Sequence, residues 1–201
     1  MKVIYFSGLK GGTGKTTLAI HLCNYLYFYE KKTVCLLNYD KQGILSLLAR
    51  KNSAPYMVAE INIEDFSKTF FESLTQEYII VDLPSLMTLE KVILNQWEFA
   101  DAHVLPFLSS ALDFYKLLAF FQLTSKRNIQ LKQTFLLPNR YKRQAGCIMQ
   151  ENIKNQPHFQ SSVLLPAIIN SNKLADIDFA PPDSTVMNYI RPCFITLINK
   201  I

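Results

Sequence analysis

The string GLKGGTGKTT occupies residues 8–17, directly after the short apolar run of residues 3–6. Closely spaced glycines let a backbone fold into a tight nest whose N–H groups point at phosphate oxygens, and a helix that follows adds its positive end. In such a loop the lysine contacts the β and γ phosphates and the next hydroxyl binds magnesium. The stretch therefore predicts a phosphate-binding loop formed by Gly11, Gly12, Thr13, Gly14, Lys15, Thr16 and Thr17.

Continuous apolar runs bounded by turn residues recur at residues 3–6, 33–37, 78–81, 103–106, 134–137 and 163–165. Runs of this kind are typical of strands that are covered on both faces. Segments with helical spacing of apolar residues lie between them, and a last helix is expected at 184–201, interrupted or started late by Pro192. The alternation predicts an α/β protein in which helices flank a mostly parallel central β-sheet. Together with the phosphate loop between the first strand and the first helix, it predicts a three-layer P-loop NTPase fold. We expect one domain over residues 1–201.

The composition is that of an ordinary globular protein, with 49% hydrophobic and 18% charged residues in a chain of 201. Four scattered cysteines, without a C-x-x-C pair, argue against a zinc site, a thioredoxin-like site or a secreted disulfide framework. The amino terminus lacks the pattern of a signal peptide, and no apolar run approaches the roughly 20 residues that span a bilayer. These observations favour the reduced cytoplasm.

The net charge is +5, but it is unevenly distributed. Residues 60–101 carry nine Asp/Glu against two Lys/Arg, whereas residues 126–173 carry eight Lys/Arg against one Glu. The basic stretch is either a candidate surface for a polyanion or an ordinary solvated face. Its candidate DNA contacts are Lys126, Arg127, Lys132, Arg140, Lys142 and Arg143.

Two carboxylates follow predicted strands, Asp40 in NYDKQG and Asp82 in VDLP. Carboxyl ends of parallel strands converge on the ligand crevice, where carboxylates can hold magnesium or orient an attacking water. The alternative for each is a turn or helix cap. Both occur downstream of a phosphate loop, which favours the functional interpretation.

The phosphate loop departs from the strict G-x-x-x-x-G-K-[ST] pattern, because Leu9 replaces a glycine and Lys10 precedes the double glycine. The string KGGTGKTT resembles the deviant Walker A motif of the ParA/MinD superfamily of ATPases, whose signature residue is the early lysine. The resemblance implies that Lys10, Lys15 and Asp40 are catalytic, and that Thr16, Asp40 and Asp82 bind Mg²⁺. Asn38 and Lys41 depart from the family's D-x-D-P-Q-G switch, which leaves Asp40 in place and predicts altered metal coordination, loop stiffness or turnover.

Weaker matches to small plasmid-partition ATPases continue along the chain. ADAHVLP at residues 100–106 followed by Leu112-Asp113-Phe114 is similar to one family segment, and Leu137-Pro138-Asn139-Arg140 to another. The resemblance implies that Asn139, Arg140 and a residue near Pro166 contact adenine, although a strand end plus a turn explains these residues equally well. The guanine-reading N-K-x-D signature is absent from this stretch. The loop begins at residue 8, which predicts no amino-terminal helix-turn-helix extension.

The resemblance implies a weak Mg²⁺-dependent ATPase in DNA partition. ATP would form a homodimer in which Lys10 of each subunit reaches the other's phosphates. The dimer would bind nucleoid DNA without sequence preference, and a ParB-like centromere-binding protein would release it, with no membrane involved.

Three alternatives remain open. A MinD-like membrane-cycling ATPase would use an apolar tail, for which FITLINKI at residues 194–201 is the candidate. A small-molecule phosphotransferase or ligase would need a polar substrate pocket. A nucleotide switch without hydrolysis is suggested by Asn38 and Lys41.

Overall fold

The computed structural model describes residues 1–39, 44–62, 67–85 and 97–201, without the side chains of residues 44 and 143–145. Seven strands form one sheet, in which every pair of neighbours is parallel. The strands are β1 (Lys2–Phe6), β2 (Val34–Asn38), β3 (Met57–Glu60), β4 (Tyr78–Asp82), β5 (Ala102–Phe107), β6 (Thr134–Pro138) and β7 (Ser162–Leu164). Their order is β3-β2-β4-β1-β5-β6-β7.

Helices cover both faces of the sheet. They are α1 (Lys15–Phe28), α2 (Ile44–Lys51), α3 (Lys68–Ser73), α4 (Ala111–Lys126), α5 (Arg143–Lys154) and α6 (Ser184–Ile198). Short 3₁₀ helices lie at Trp97–Phe99, Pro157–Phe159 and Asn172–Leu174.

Alternate side chains of the strands point to opposite faces, and this builds two separate cores. In β1, Ile4 and Phe6 belong to the core beneath α1, α2 and α6, whereas Val3 and Tyr5 belong to the core beneath α3, α4 and α5. The arrangement confirms the predicted α/β fold with three layers.

The six predicted strands are confirmed, and β3 is a seventh that the sequence analysis missed. Its four residues at the sheet edge are exposed or half-buried, and their short apolar run, residues 57–59, was not interpreted as a strand.

The expected break at Pro192 is wrong, because α6 runs through the proline from Ser184 to Ile198. Asp183 caps the helix by accepting a hydrogen bond from the Val186 N–H (2.8 Å). Proline inside a helix costs about 3 kcal/mol. Burial on both sides of it, at Ile190 and Phe194 among others, offsets that cost.

Candidate nucleotide-binding site

The predicted phosphate loop lies where the strand order of the sheet reverses, since β1 has β4 on one side and β5 on the other. Ligands of open α/β sheets bind in the crevice at such a switch point. The register places Phe6, Asn38 and Asp82 side by side at the carboxyl ends of β1, β2 and β4. The ends of three strands therefore converge on the loop.

The glycines of the loop adopt conformations that other residues rarely adopt. Gly12 has a φ of 75° and Gly14 a φ of 93°, both in the left-handed region. Gly14 is also the N-cap of α1, and no side chain caps that helix end. The first amides of α1 are therefore left to a ligand rather than to a cap, as an anion site at a helix N-terminus requires.

Lys15 is the buried cation of this site, with 7% of its surface exposed. Its Nζ donates to the Lys10 carbonyl oxygen at 3.1 Å. Burial lowers the pKa of Lys15, and the nearby Asp82 carboxylate partly opposes that shift. The lysine thus occupies an environment in which an anionic ligand would favour its charged form.

Thr16 and Asp82, two of the predicted metal ligands, are in contact. The Thr16 hydroxyl donates to Asp82 Oδ2 at 2.5 Å, so two oxygen ligands from α1 and β4 lie together beside Lys15. Hard oxygen donors of this kind fit Mg²⁺, which is usually held by one or two protein ligands together with substrate phosphates. Asp40, the third predicted metal ligand, lies outside the described residues.

A cavity of about 300 Å³ adjoins Lys15, Thr16 and Asp82. Asn38 lines this cavity at the position where the family pattern has an aspartate. The rest of the described lining is mainly apolar and consists of Tyr39, Leu45, Leu48, Leu83, Pro84 and Ile177. The loop thus opens on this side into a space large enough for a terminal phosphate and its waters.

Asn139 contacts the phosphate loop itself. Its Nδ2 donates to the Thr13 carbonyl oxygen at 2.8 Å, and its Oδ1 accepts from the Arg140 N–H at 2.9 Å. The contact with adenine stays a prediction for Asn139, whose amide group already supports the loop. Arg140 is exposed and has a φ of 50°.

A narrow crevice of about 30 Å³ lies on the other side of the loop. It brings together Gly14, Thr17, Asn139 and Arg140, as the adenine prediction requires, but among the described residues Pro166 does not line it. The opposite wall comes from a segment the sequence analysis missed: Ile169, Ser171, Leu174 and Ala175. No motif marks that segment, because its backbone path rather than its residue types places it there.

The resemblance implies that Lys10 contacts a second subunit, but in this structure Lys10 is paired with a residue of its own chain. Its Nζ lies 2.8 Å from Asp113 Oδ2, and the Asp113 side chain is 1% exposed. Ser110 caps α4 and also donates to Asp113. The role of Asp113 as the partner of Lys10 was missed, because 103 residues separate the two in sequence.

The six candidate DNA contacts do not form one surface. Lys126 ends α4 and Arg127 caps it, while Lys132 precedes β6, so these three lie toward the amino end of the sheet. Arg140 and Lys142 follow β6 at the carboxyl end, beside the loop. The five residues of β6 span about 16 Å. Lys132 is also paired with Asp101 at 3.0 Å, and the Arg143 side chain lies outside the described part of the chain.

The family described as the CobQ/CobB/MinD/ParA nucleotide binding domain matches residues 4–177. The chain belongs to this family. Membership in the CobQ/CobB/MinD/ParA family confirms the resemblance read from the KGGTGKTT string. No curated protein sequence matches the chain.

Solved structures of the ParA/MinD type share the fold over nearly the whole chain. A putative plasmid partition protein of Borrelia burgdorferi B31, bound to AMPPNP, is 19% identical with a TM-score of 0.76, covering 100% of this chain and 99% of that one. MinD of Aquifex aeolicus is 20% identical with a TM-score of 0.71, covering 99% and 97%. An ATP complex of a McdA variant from Cyanothece is 17% identical with a TM-score of 0.67, covering 99% and 95%.

Proposed function

We propose that this protein is a Mg²⁺-dependent ATPase that acts in DNA partition and uses ATP to form a homodimer. The observation that carries the proposal is the phosphate loop at the switch point of the sheet. Its left-handed glycines leave the first amides of α1 to a ligand, buried Lys15 lies beside them, and Lys10 stands at the same edge. The ParA/MinD-type family and the AMPPNP-bound partition protein among its structural neighbours support it.

Each part of the site has a role in phosphoryl transfer, which depends mainly on positioning and charge neutralisation. The loop amides and Lys15 hold the triphosphate, and Thr16 and Asp82 hold Mg²⁺. When bound, Mg²⁺ neutralises charge on the phosphate oxygens. Asp40 orients the attacking water in this proposal. Asn38, a neutral residue beside Asp82 in the register, leaves the metal site one negative charge short of the family pattern, so we expect slow turnover.

In the proposed dimer, the ammonium group of Lys10 exchanges one anionic partner for another. In the single subunit its ammonium group is paired with the buried Asp113 carboxylate. ATP can drive association only by binding the dimer more tightly than the monomer. We infer that the partner's phosphates replace Asp113 as the acceptor for Lys10, and that hydrolysis with phosphate release returns Lys10 to Asp113.

The DNA contact is proposed for the basic residues on the loop side of the sheet, Arg140 and Lys142. They lie near the nucleotide, so DNA affinity there can respond to the nucleotide state, whereas Lys126 and Arg127 lie toward the far end of the sheet. The contact is to phosphates and carries no base sequence preference. A ParB-like centromere-binding protein is the proposed partner that stimulates hydrolysis, and the nucleoid in the cytoplasm is the proposed location.

Two alternatives are less well supported by the described residues. None of the helices described is long and apolar enough to cross a membrane. The first five residues of the candidate membrane tail, 194–198, belong to α6, and Phe194 and Leu197 are fully buried in the core. In the cavity beside Asp82, the described lining is mostly apolar and offers a polar second substrate few partners beyond the residues already assigned to phosphate and metal.

Light scattering of the purified chain tests the proposal. With Mg²⁺ and AMPPNP we expect a dimer, and with ADP a monomer. The AMPPNP form should bind random-sequence DNA and should not sediment with anionic lipid vesicles. A monomer with both nucleotides would contradict the dimer switch, and sedimentation with vesicles in place of DNA binding would favour the membrane-cycling alternative.

A further inference from the structure

Two polar side chains of α1 are buried in the core next to the candidate nucleotide site. His21 is 5% exposed and Asn24 is 1% exposed. Burying a polar side chain is unfavourable unless a hydrogen bond compensates it. The hydrogen-bond partners of His21 and Asn24 therefore indicate why an otherwise apolar helix contains these two residues.

Both side chains donate to one irregular segment, residues 171–178, which we call the strap. His21 Nε2 lies 3.1 Å from the Leu174 carbonyl oxygen, and Asn24 Nδ2 lies 3.0 Å from the Asp178 carbonyl oxygen. A carbonyl only accepts, so His21 must carry its proton on Nε2. Tyr56 donates to Asn24 Oδ1 at 2.7 Å, which fixes the orientation of the Asn24 amide.

The strap borders the site on both sides of α1. Ser171, Leu174 and Ala175 line the crevice next to Gly14 and Thr17, and Ile177 lines the cavity beside Lys15 and Thr16. Asn139 and Arg140, which the resemblance assigns to adenine, line the same crevice, so the nucleoside of the proposed ATP would leave the phosphates on that side. The strap is thus one wall of the space that the base would enter.

Helix geometry links the two polar residues to that crevice. His21 and Asn24 follow Thr17 by four and seven residues, so all three lie on one face of α1, about 6 Å and 10 Å apart along its axis. The same face of α1 therefore lines the crevice at Thr17 and binds the strap through His21 and Asn24.

We propose that His21 and Asn24 are positioning residues, which fix the strap as one wall of the crevice for the nucleobase and so determine the part of ATP affinity that depends on the base. This inference rests on the proposed ATP site. Neither side chain touches the nucleotide, and both act through the strap backbone. The phosphate loop does not depend on them, because its own contacts come from Lys15, Asp82 and Asn139.

Calorimetry with two probes separates a positioning role from a structural one. MgATP uses the loop and the crevice, whereas magnesium tripolyphosphate uses the loop alone. For Asn24→Leu and His21→Phe we expect ATP affinity to fall about tenfold, with tripolyphosphate affinity unchanged within about twofold. His21→Gln keeps an N–H donor and should recover most of the ATP affinity. Cys23→Ala, a buried change on the same helix away from the strap, is the matched control and should affect neither probe.

The other possible results distinguish a failure of the positioning role from a failure of the proposed ATP site. Equal losses for both probes, or no loss, would overturn the positioning role while leaving the ATP site in place. A wild-type chain that binds tripolyphosphate but gains nothing from the nucleoside would also overturn it. A wild-type chain that binds neither probe would instead refute the proposed function.

Hydrogen–deuterium exchange on the wild-type chain covers the case in which the variants do not fold. ATP should slow exchange of the strap amides that line the crevice, residues 171–175, whereas tripolyphosphate should leave the exchange of these amides unchanged. Strap amides that respond equally to both probes, or to neither, would overturn the proposal.

Discussion

Alanine substitutions at three loop glycines separate backbone strain from steric conflict. Gly11 has an ordinary φ and open space around the position of a Cβ, Gly12 has a φ of 75° with open space, and Gly14 has a φ of 93° with Asn139 in the way. A Cβ at position 14 would lie closer than 3 Å to Asn139 Nδ2. The series therefore adds one unfavourable effect at a time.

The expected changes in the free energy of unfolding follow from these differences. Gly11→Ala should be neutral or stabilising by up to about 1 kcal/mol, because alanine restricts the unfolded chain. Gly12→Ala should destabilise by about 1–2 kcal/mol, the cost of a left-handed alanine. Gly14→Ala should lose about 2–4 kcal/mol, because displacing Asn139 also breaks its bond to the Thr13 carbonyl and leaves buried groups unpaired.

Urea unfolding of the ligand-free chain measures all three variants, and a double-mutant cycle tests the cause. In an Asn139→Ala background the steric conflict is gone, so Gly14→Ala should cost only about as much as Gly12→Ala. The coupling between the two positions should then be about 1–2 kcal/mol. An equal cost of Gly14→Ala in both backgrounds would refute the steric argument, and equal stability of all three single variants would refute the loop geometry.

Three further predictions concern ion pairing, pH and DNA. Asp113→Asn gives Lys10 a neutral acceptor in place of a charged one, so light scattering with AMPPNP should show the dimer at about tenfold lower protein concentration, a gain of about 1.4 kcal/mol; an unchanged midpoint would mean that the pair does not oppose association. Burial lowers the pKa of His103 to about 4 from an ordinary 6.5. Between these two pH values, the His103 imidazole binds a proton in the unfolded chain but not in the folded chain. The free energy of unfolding should therefore fall by about 1.4 kcal/mol for each pH unit below 6.5, to a loss of about 3 kcal/mol at pH 4. Urea midpoints of His103→Phe should lack this part of the pH dependence. Lys142→Glu should weaken DNA binding and flatten its salt dependence, which for about four phosphate contacts, two from each subunit of the dimer, has a log–log slope of about −4, whereas Lys126→Glu should change neither; a larger effect of Lys126→Glu in fluorescence anisotropy would place DNA at the opposite end of the sheet.

The phosphate loop and the buried strands were predictable because their signals are local. Glycine spacing and continuous apolar runs are visible within about ten residues, and Thr16 meets Asp82 because parallel strand ends converge. The edge strand β3 gave a weaker signal, an apolar run of three residues at 57–59. At Pro192, burial of apolar residues on both sides outweighed the local rule.

The rest of the site could not be predicted, because it depends on the path of the chain in three dimensions. The pairing of Lys10 with Asp113 joins residues 103 positions apart. The strap contacts α1 through backbone carbonyls, which any sequence could supply. The basic stretch divides because consecutive strands and helices run in opposite directions, so that neighbouring segments such as residues 126–132 and 140–142 reach opposite ends of the sheet.

Titration of the purified chain with ATP in the presence and absence of Mg²⁺, alongside Lys15→Ala, tests the central claim most directly. We expect one ATP bound per chain, with tighter binding in the presence of Mg²⁺, and loss of binding in a Lys15→Ala variant that still unfolds cooperatively. A folded wild-type chain with no affinity for ATP, or a Lys15→Ala variant that binds it as well as the wild type, would contradict the claim that residues 8–17 hold the triphosphate.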